Sequence, residues 1–177
     1  MSREGTANND ILVGTKAKDL LRGLGGDDRL TGQNRADCLE GGSGKDKISG
    51  EAGNDVLTGG SGKDLLNGGK RKDKLKGDGG NDTLKGGNGS DTLNGGKGKD
   101  KLMGSKGKDK LVGGAKADRI NAGKGKDLVV SGGGNDRINS VDGRRDVIRC
   151  GGGVDRVVAD RKDRLSGCER VSRRSKR

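Results

Sequence analysis

The chain has 177 residues, a formal net charge of +12, 39 glycines and 25% hydrophobic residues, and it contains no Phe, Tyr, Trp, Pro or His. One domain is all this length requires, but so little apolar bulk cannot build a conventional core, which leaves a repetitive, backbone-driven fold or disorder. The composition excludes collagen, which needs proline and a glycine at every third position, base-stacking nucleic-acid modules, which need aromatic platforms, and histidine-based acid–base catalysis.

The opening stretch, "MSREGTANND", lacks the apolar run of a secretory signal, and no window along the chain is apolar enough to predict a membrane helix. Residues 1–4 form a lead-in, and from 5 to 139 a period of nine runs without a gap. Asp10, Asp19, Asp28, Asp37, Asp46, Asp55, Asp64, Asp73, Asp82, Asp91, Asp100, Asp109, Asp118, Asp127 and Asp136 are fifteen aspartates at that spacing. Two residues after each stands Leu, Ile or Val, from Leu12 to Ile138. The unit is plain in "GGSGKDKIS" (41–49), "GEAGNDVLT" (50–58) and "GGSGKDLLN" (59–67): G-G-x-G-x-D-x-U-x, with U aliphatic. An x-U-x triplet predicts a short strand with one side chain inward and its neighbours outward, and the glycines permit the dihedrals and close approach of a tight turn.

The array resembles the RTX, or haemolysin-type, calcium-binding nonapeptide repeats over residues 5–139. The resemblance implies an all-β fold, a parallel β-roll (a right-handed β-helix or solenoid). In it two repeats make one coil of about eighteen residues, and coils stack as parallel strands about 4.8 Å apart. It also implies several Ca2+ ions, each held between the aspartates and turn carbonyls of loops one coil apart, an oxygen-rich setting that suits calcium. One inward aliphatic per repeat is a thin core for so many ordered residues, and stacked carboxylates repel one another. The chain is therefore expected to be largely disordered without calcium and folded with it.

Alternate repeats place their turns on opposite edges of such a roll. On the first edge the glycine two residues before the aspartate is kept at Gly26, Gly44, Gly62, Gly80 and Gly98. The expected calcium sites there are Asp28/Asp46, Asp46/Asp64, Asp64/Asp82 and Asp82/Asp100. On the second edge that position holds Ala17, Arg35 and Arg71, with glycine at Gly53, Gly89, Gly107 and Gly125, and only Asp91/Asp109 and Asp109/Asp127 are intact pairs. A β-carbon at that place is expected to strain the turn, and an arginine to bring its own cation near the metal. In the family the third and fifth positions face outward. They hold Lys16, Lys18, Lys70, Lys72, Lys106, Lys108, Lys124 and Lys126 on the second edge, against Lys45, Lys63, Lys97 and Lys99 on the first. One metal-rich and one basic edge are expected. Family members are usually acidic, whereas here each calcium joins a chain already at +12, so partial loading or bound counter-anions are expected. The alternative is that lysines neutralise part of the aspartate ladder and close some turns without metal.

Past Asn139 the spacing slips, with ten residues from Asp136 to Asp146, and "CGGGVDRVV" (150–158) is a degenerate repeat. Residues 140–171, which include "ADRKDRLSGCERV", resemble the terminal segment of secreted actinobacterial calcium-binding repeat proteins, and the resemblance implies a cap that blocks further strand addition. Cys150 and Cys168 would close such a cap with a disulfide, in keeping with an oxidising compartment; the other reading is two reduced thiols. Cys38 takes an outward strand position without an evident partner. The basic tail "SRRSKR" (172–177) is expected to be disordered.

No GxSxG, Cys–His pair or Walker loop is present, and the carboxylates are regularly spaced ligands rather than an isolated acid–base pair, so no enzyme is expected. Two function classes remain. One is a secreted, monomeric calcium-binding structural or interaction module that folds in the calcium-rich exterior. The other is a cationic repeat scaffold for acidic polysaccharide or another cell-surface polyanion, with calcium secondary and no specific nucleic acid.

Overall fold

The computed structural model describes residues 1–174, and among them every regular element is a strand. Twenty short strands alternate between two parallel sheets of ten strands each. Sheet I starts with Ser2–Glu4, continues through Leu20–Gly25 and Cys38–Gly44, and ends with Arg164–Ser166; sheet II starts with Ile11–Val13 and ends with Arg170–Arg174. The chain crosses from one sheet to the other and returns one coil further on, which makes a parallel β-solenoid. Register advances by eighteen residues, as in Ser2 opposite Leu20 and Cys38 opposite Val56.

The period dictates this arrangement. Each x-U-x triplet turns its aliphatic between the sheets, so that Leu21, Leu30, Leu39 and their successors to Ile138 form one continuous core, each no more than 3% exposed. Leu12, in the first coil, is partly buried against it. The flanking residues stand on the outer faces, half-buried or exposed.

Stacking continues past Asn139. The slip falls in the segment 140–146, after which Val147–Gly152 pairs with Leu128–Gly133 and Arg156–Asp160 with Arg137–Asn139. Ile148, Val157 and Ala159 extend the core. Cys150 and Cys168 are bonded, with Cα atoms 5.2 Å apart, which ties Val147–Gly152 to the approach of the last strand; Cys38 is free and half-buried. Ser172, Arg173 and Arg174 are ordered rather than disordered as expected: they lie opposite Val158, Ala159 and Asp160. The reason is local, since Arg173 Nη1 donates to the carbonyls of Asp160 (2.7 Å) and Asp163 (3.0 Å). The remainder of that tail, 175–177, lies outside the described residues.

Candidate metal centre

The turns carry the aspartates in two columns, one along each edge. On the first edge the main-chain N–H of each aspartate donates to Oδ1 of the aspartate one coil later: Asp28 to Asp46, Asp46 to Asp64, Asp64 to Asp82 and Asp82 to Asp100, all at 2.8–2.9 Å. The second edge does the same, with Asp91 to Asp109 and Asp109 to Asp127 at 2.8 Å. These carboxyls are buried, between 1% and 2% exposed.

One oxygen of each carboxylate is thereby committed and the other is left over. From Asp28 to Asp155 fifteen Oδ2 atoms are buried with no hydrogen-bond partner among the described residues. An orphaned buried acceptor costs about 1–3 kcal/mol, and more when it is charged. Burial accordingly pushes the carboxyls of Asp73, Asp118, Asp127 and Asp146 up to about 7, and those of Asp55, Asp64, Asp82 and Asp109 up to about 6. Main-chain hydrogen bonds pull the other way, and carboxylates one coil away add to the rise. Asp46, Asp91 and Asp100 are shifted in the same direction by the same desolvation. Either a proton or a cation relieves such an oxygen.

The surroundings accept only certain cations. A β-carbon on Gly32 would come 2.6 Å from Asp37 Oδ2 and 3.0 Å from the carbonyl oxygen of Gly50; one on Gly68 would come 2.5 Å from Asp73 Oδ2 and 2.6 Å from the carbonyl oxygen of Gly86. A carboxylate oxygen of one coil and a carbonyl oxygen of the next thus crowd the same spot, which only glycine leaves free. Among the described residues no three His, Cys, Asp or Glu side chains converge on a point, so oxygens beyond the carboxylates would come from main-chain carbonyls, side-chain amides or water. A donor set of carboxylate and carbonyl oxygen, without nitrogen or sulfur, fits a hard divalent cation.

A family model for the RTX calcium-binding nonapeptide repeat, in four copies, matches residues 4–37, 40–70, 67–102 and 103–138. The chain belongs to the RTX calcium-binding repeat family. No curated protein matches it. The RTX match covers the orphaned carboxylates from Asp28 to Asp136, and calcium is the cation that this repeat family binds. Held there, calcium would supply the positive charge that the columns lack.

The structure brings Asp28, Asp46, Asp64, Asp82 and Asp100 into one column and Asp91, Asp109 and Asp127 into the other, with Oδ2 orphaned in each. The same orphaned oxygen occurs at Asp37, Asp55, Asp73, Asp118, Asp136, Asp146 and Asp155, which the turn glycines did not single out. Arg35 and Arg71 keep the left-handed backbone of the glycines they replace, at φ 73° and 78°, as does Lys116 at 71° on the first edge. The Arg35 and Arg71 side chains are exposed, and neither makes an ion pair among the described residues. Lysines at the third and fifth positions are exposed on both edges.

Two features of this RTX roll escaped the repeat pattern. In the first coil Thr6 and Thr15 occupy the second position of the unit, and each donates its N–H and its hydroxyl to Oδ2 of Asp10 or Asp19, at 2.6–2.9 Å. At the other end the columns stop on residues outside the period. Asp155 N–H donates to Glu169 Oε2, and Asp146 N–H to Asp163 Oδ1, both at 2.9 Å. The threonines were visible as the only two at that position; Glu169 and Asp163 could not be placed without the register of the last strands.

Proposed function

We propose that this RTX chain is a secreted calcium-binding module whose middle coils close around Ca2+ in the calcium-rich exterior, and that its role is structural or interactive rather than catalytic. The reading is carried by the file of fifteen buried, partnerless Oδ2 atoms, each of which needs a positive charge at neutral pH. Where calcium is scarce, the columns repel and the glycine-rich coils stay open; outside, several ions close them. The intervals with the turn glycine kept, Asp28/Asp46 through Asp82/Asp100 and Asp91/Asp109 through Asp109/Asp127, load first, because the position two residues before each aspartate carries no β-carbon. The Cys150–Cys168 bond suits the same oxidising exterior, and the terminal segment resembles that of secreted actinobacterial proteins. Both columns are complete within one chain, so a monomer suffices.

The test is a calcium titration followed by circular dichroism. The β signal should rise from a largely disordered baseline in chelator to a plateau in millimolar calcium. Equal β content in the two conditions at neutral pH overturns the proposal. A second reading, a cationic scaffold for acidic polymers with calcium secondary, is favoured by a row of cations on sheet II that forms no ion pair among the described residues.

A further inference from the structure

The outer face of sheet II carries a single file of cations in its later coils. Lys101 lies opposite Arg119, Arg119 opposite Arg137, Arg137 opposite Arg156 and Arg156 opposite Arg170, one on each successive strand. All five residues are exposed, and none forms an ion pair among the described residues. Like charges directly opposite on neighbouring strands destabilise a sheet. The early coils of sheet II hold one such pair, Arg29 opposite Lys47, before Leu65 and Thr83 interrupt the column; sheet I offsets the same cost with acidic neighbours. On sheet I Arg22 sits between Glu4 and Glu40, 3.1 Å from a carboxylate oxygen of each. No acidic residue interleaves the file on sheet II. Beside it runs a second column with Asn121 opposite Asn139, and the two columns line one shallow groove.

We propose that this face binds a linear acidic polysaccharide, one with a carboxylate on each sugar ring. The proposal gives a place to the second reading above and rests on it. The cations follow one another at the strand spacing of about 4.8 Å, comparable to the advance per sugar of an extended chain, so the carboxylates that such a chain turns toward this face fall in step with the file. A guanidinium fork pairs with a carboxylate through two parallel N–H···O bonds, which suits arginine at four of the five places. Asn121 and Asn139 offer amides to the ring hydroxyls. Asn139 Oδ1 already accepts from Val141 N–H (3.3 Å), which leaves its NH2 to donate. A single-stranded nucleic acid would find no aromatic side chain on which to stack its bases. An anionic membrane surface would be matched by a broad basic patch rather than a single file.

The experiment is calorimetric binding of oligogalacturonates too short to gel, with calcium-loaded protein at fixed free calcium. Arg119→Ser/Arg137→Ser/Arg156→Ser should weaken binding at least about tenfold. Lys108→Ser/Lys124→Ser/Lys126→Ser removes the same charge from the turns of the second edge and should weaken it about twofold or less. Circular dichroism in calcium checks that each variant is folded. Should the serine triple not fold, Arg137→Ser alone, in the middle of the file, should cost about threefold. Equal losses in the two triples, or none in the arginine triple, overturn the location while leaving the polyanion reading standing. Absence of binding by the parent protein overturns both. Arginine-dependent binding of single-stranded DNA or phosphatidylserine vesicles, tighter than that of oligogalacturonate, overturns the choice of partner.

Discussion

The turns at the ends of the roll and those between them meet one requirement in different ways. A buried aspartate has two carboxylate oxygens to satisfy. In the first coil Thr6 and Thr15 supply N–H and hydroxyl donors to Oδ2 of Asp10 and Asp19. In the last coil Oδ2 of Asp163 accepts from Ser140 Oγ (2.9 Å) and from Asp160 N–H (2.8 Å). Between these ends Oδ2 has no donor. The difference lies in the second position of the repeat. Every residue there from Leu24 to Gly132 has a positive φ, whereas Thr6 and Thr15 do not, and only the threonines aim their N–H at the carboxylate. The unmet need of Oδ2 for a proton or a cation is thus a consequence of the backbone turn, and the aspartate alone does not create it.

The largest test of this contrast is pH. The ordinary aspartate value is 3.8, and burial raises the middle carboxyls of Asp55, Asp64, Asp82 and Asp109 to about 6 and those of Asp73, Asp118, Asp127 and Asp146 to about 7. Between those limits the folded roll holds more protons than the unfolded chain. The stability that protonation confers is complete below the unfolded value and is lost as pH rises through 6 to 7. In chelator, β content by circular dichroism should therefore rise on acidification from pH 8 to pH 4. In calcium the same protons compete with the ion, so apparent calcium affinity should fall over that range. Asp19 has the opposite sign: the Thr15 N–H, and then the terminal ammonium of Met1 at 3.1 Å, lower its pKa, so its contribution is present above 3.8 and lost in acid. A chelated chain that loses β structure on acidification would break the account of the middle coils.

Next in size is a substitution compared between the regions. Asp64→Asn keeps an acceptor for the Asp46 N–H but puts an NH2 where the orphaned oxygen was, so it cannot serve a cation. In calcium it should lower stability by about 2–3 kcal/mol. In chelator at pH 4, where the acid is itself protonated, asparagine is close to an isostere and the change should stay under about 0.5 kcal/mol. Asp10→Asn, in the first coil, should respond weakly and alike in both media. Urea midpoints in the two media measure this, and equal losses for Asp64→Asn in both would remove the metal from the explanation.

The spacing made the ladder legible because one aliphatic every nine residues, without a slip, leaves few folds that bury it, and every inward residue from Leu21 to Ile138 is buried. The last coils were harder. Ile148 and Val157 keep inward places, but partner offsets of 19, 17 and 14 residues between strands break the period a reader follows. The turn glycine was readable as a backbone requirement. It does not decide whether a carboxylate oxygen finds a donor, and that depends on the direction of a neighbouring N–H, which no residue count contains. The arginine file was present in the sequence as Lys101, Arg119 and Arg137 at intervals of eighteen, but Arg156 and Arg170 join it only through the shifted register.

The smallest effect concerns the turns where the second edge departs from glycine. Arg71 holds φ 78° where the first edge has Gly62 at 136° and Gly80 at 132°. A side chain in the left-handed region costs about 1–2 kcal/mol, and glycine's greater freedom in the unfolded chain offsets about 0.5–1 of that. Arg71→Gly should therefore stabilise the calcium-loaded roll by about 0.5–1 kcal/mol through strain alone. Removing the cation from the neighbourhood of Asp73 could add to this, and salt separates the two causes. Strain is indifferent to ionic strength, whereas a long-range repulsion between an exposed guanidinium and a bound ion fades as salt is added. Because Arg71 is exposed and forms no ion pair among the described residues, the gain in urea midpoint should be the same at low and high salt. A gain that shrinks with salt would show that the arginines act on the metal column, and the two edges would then differ in charge as well as in backbone.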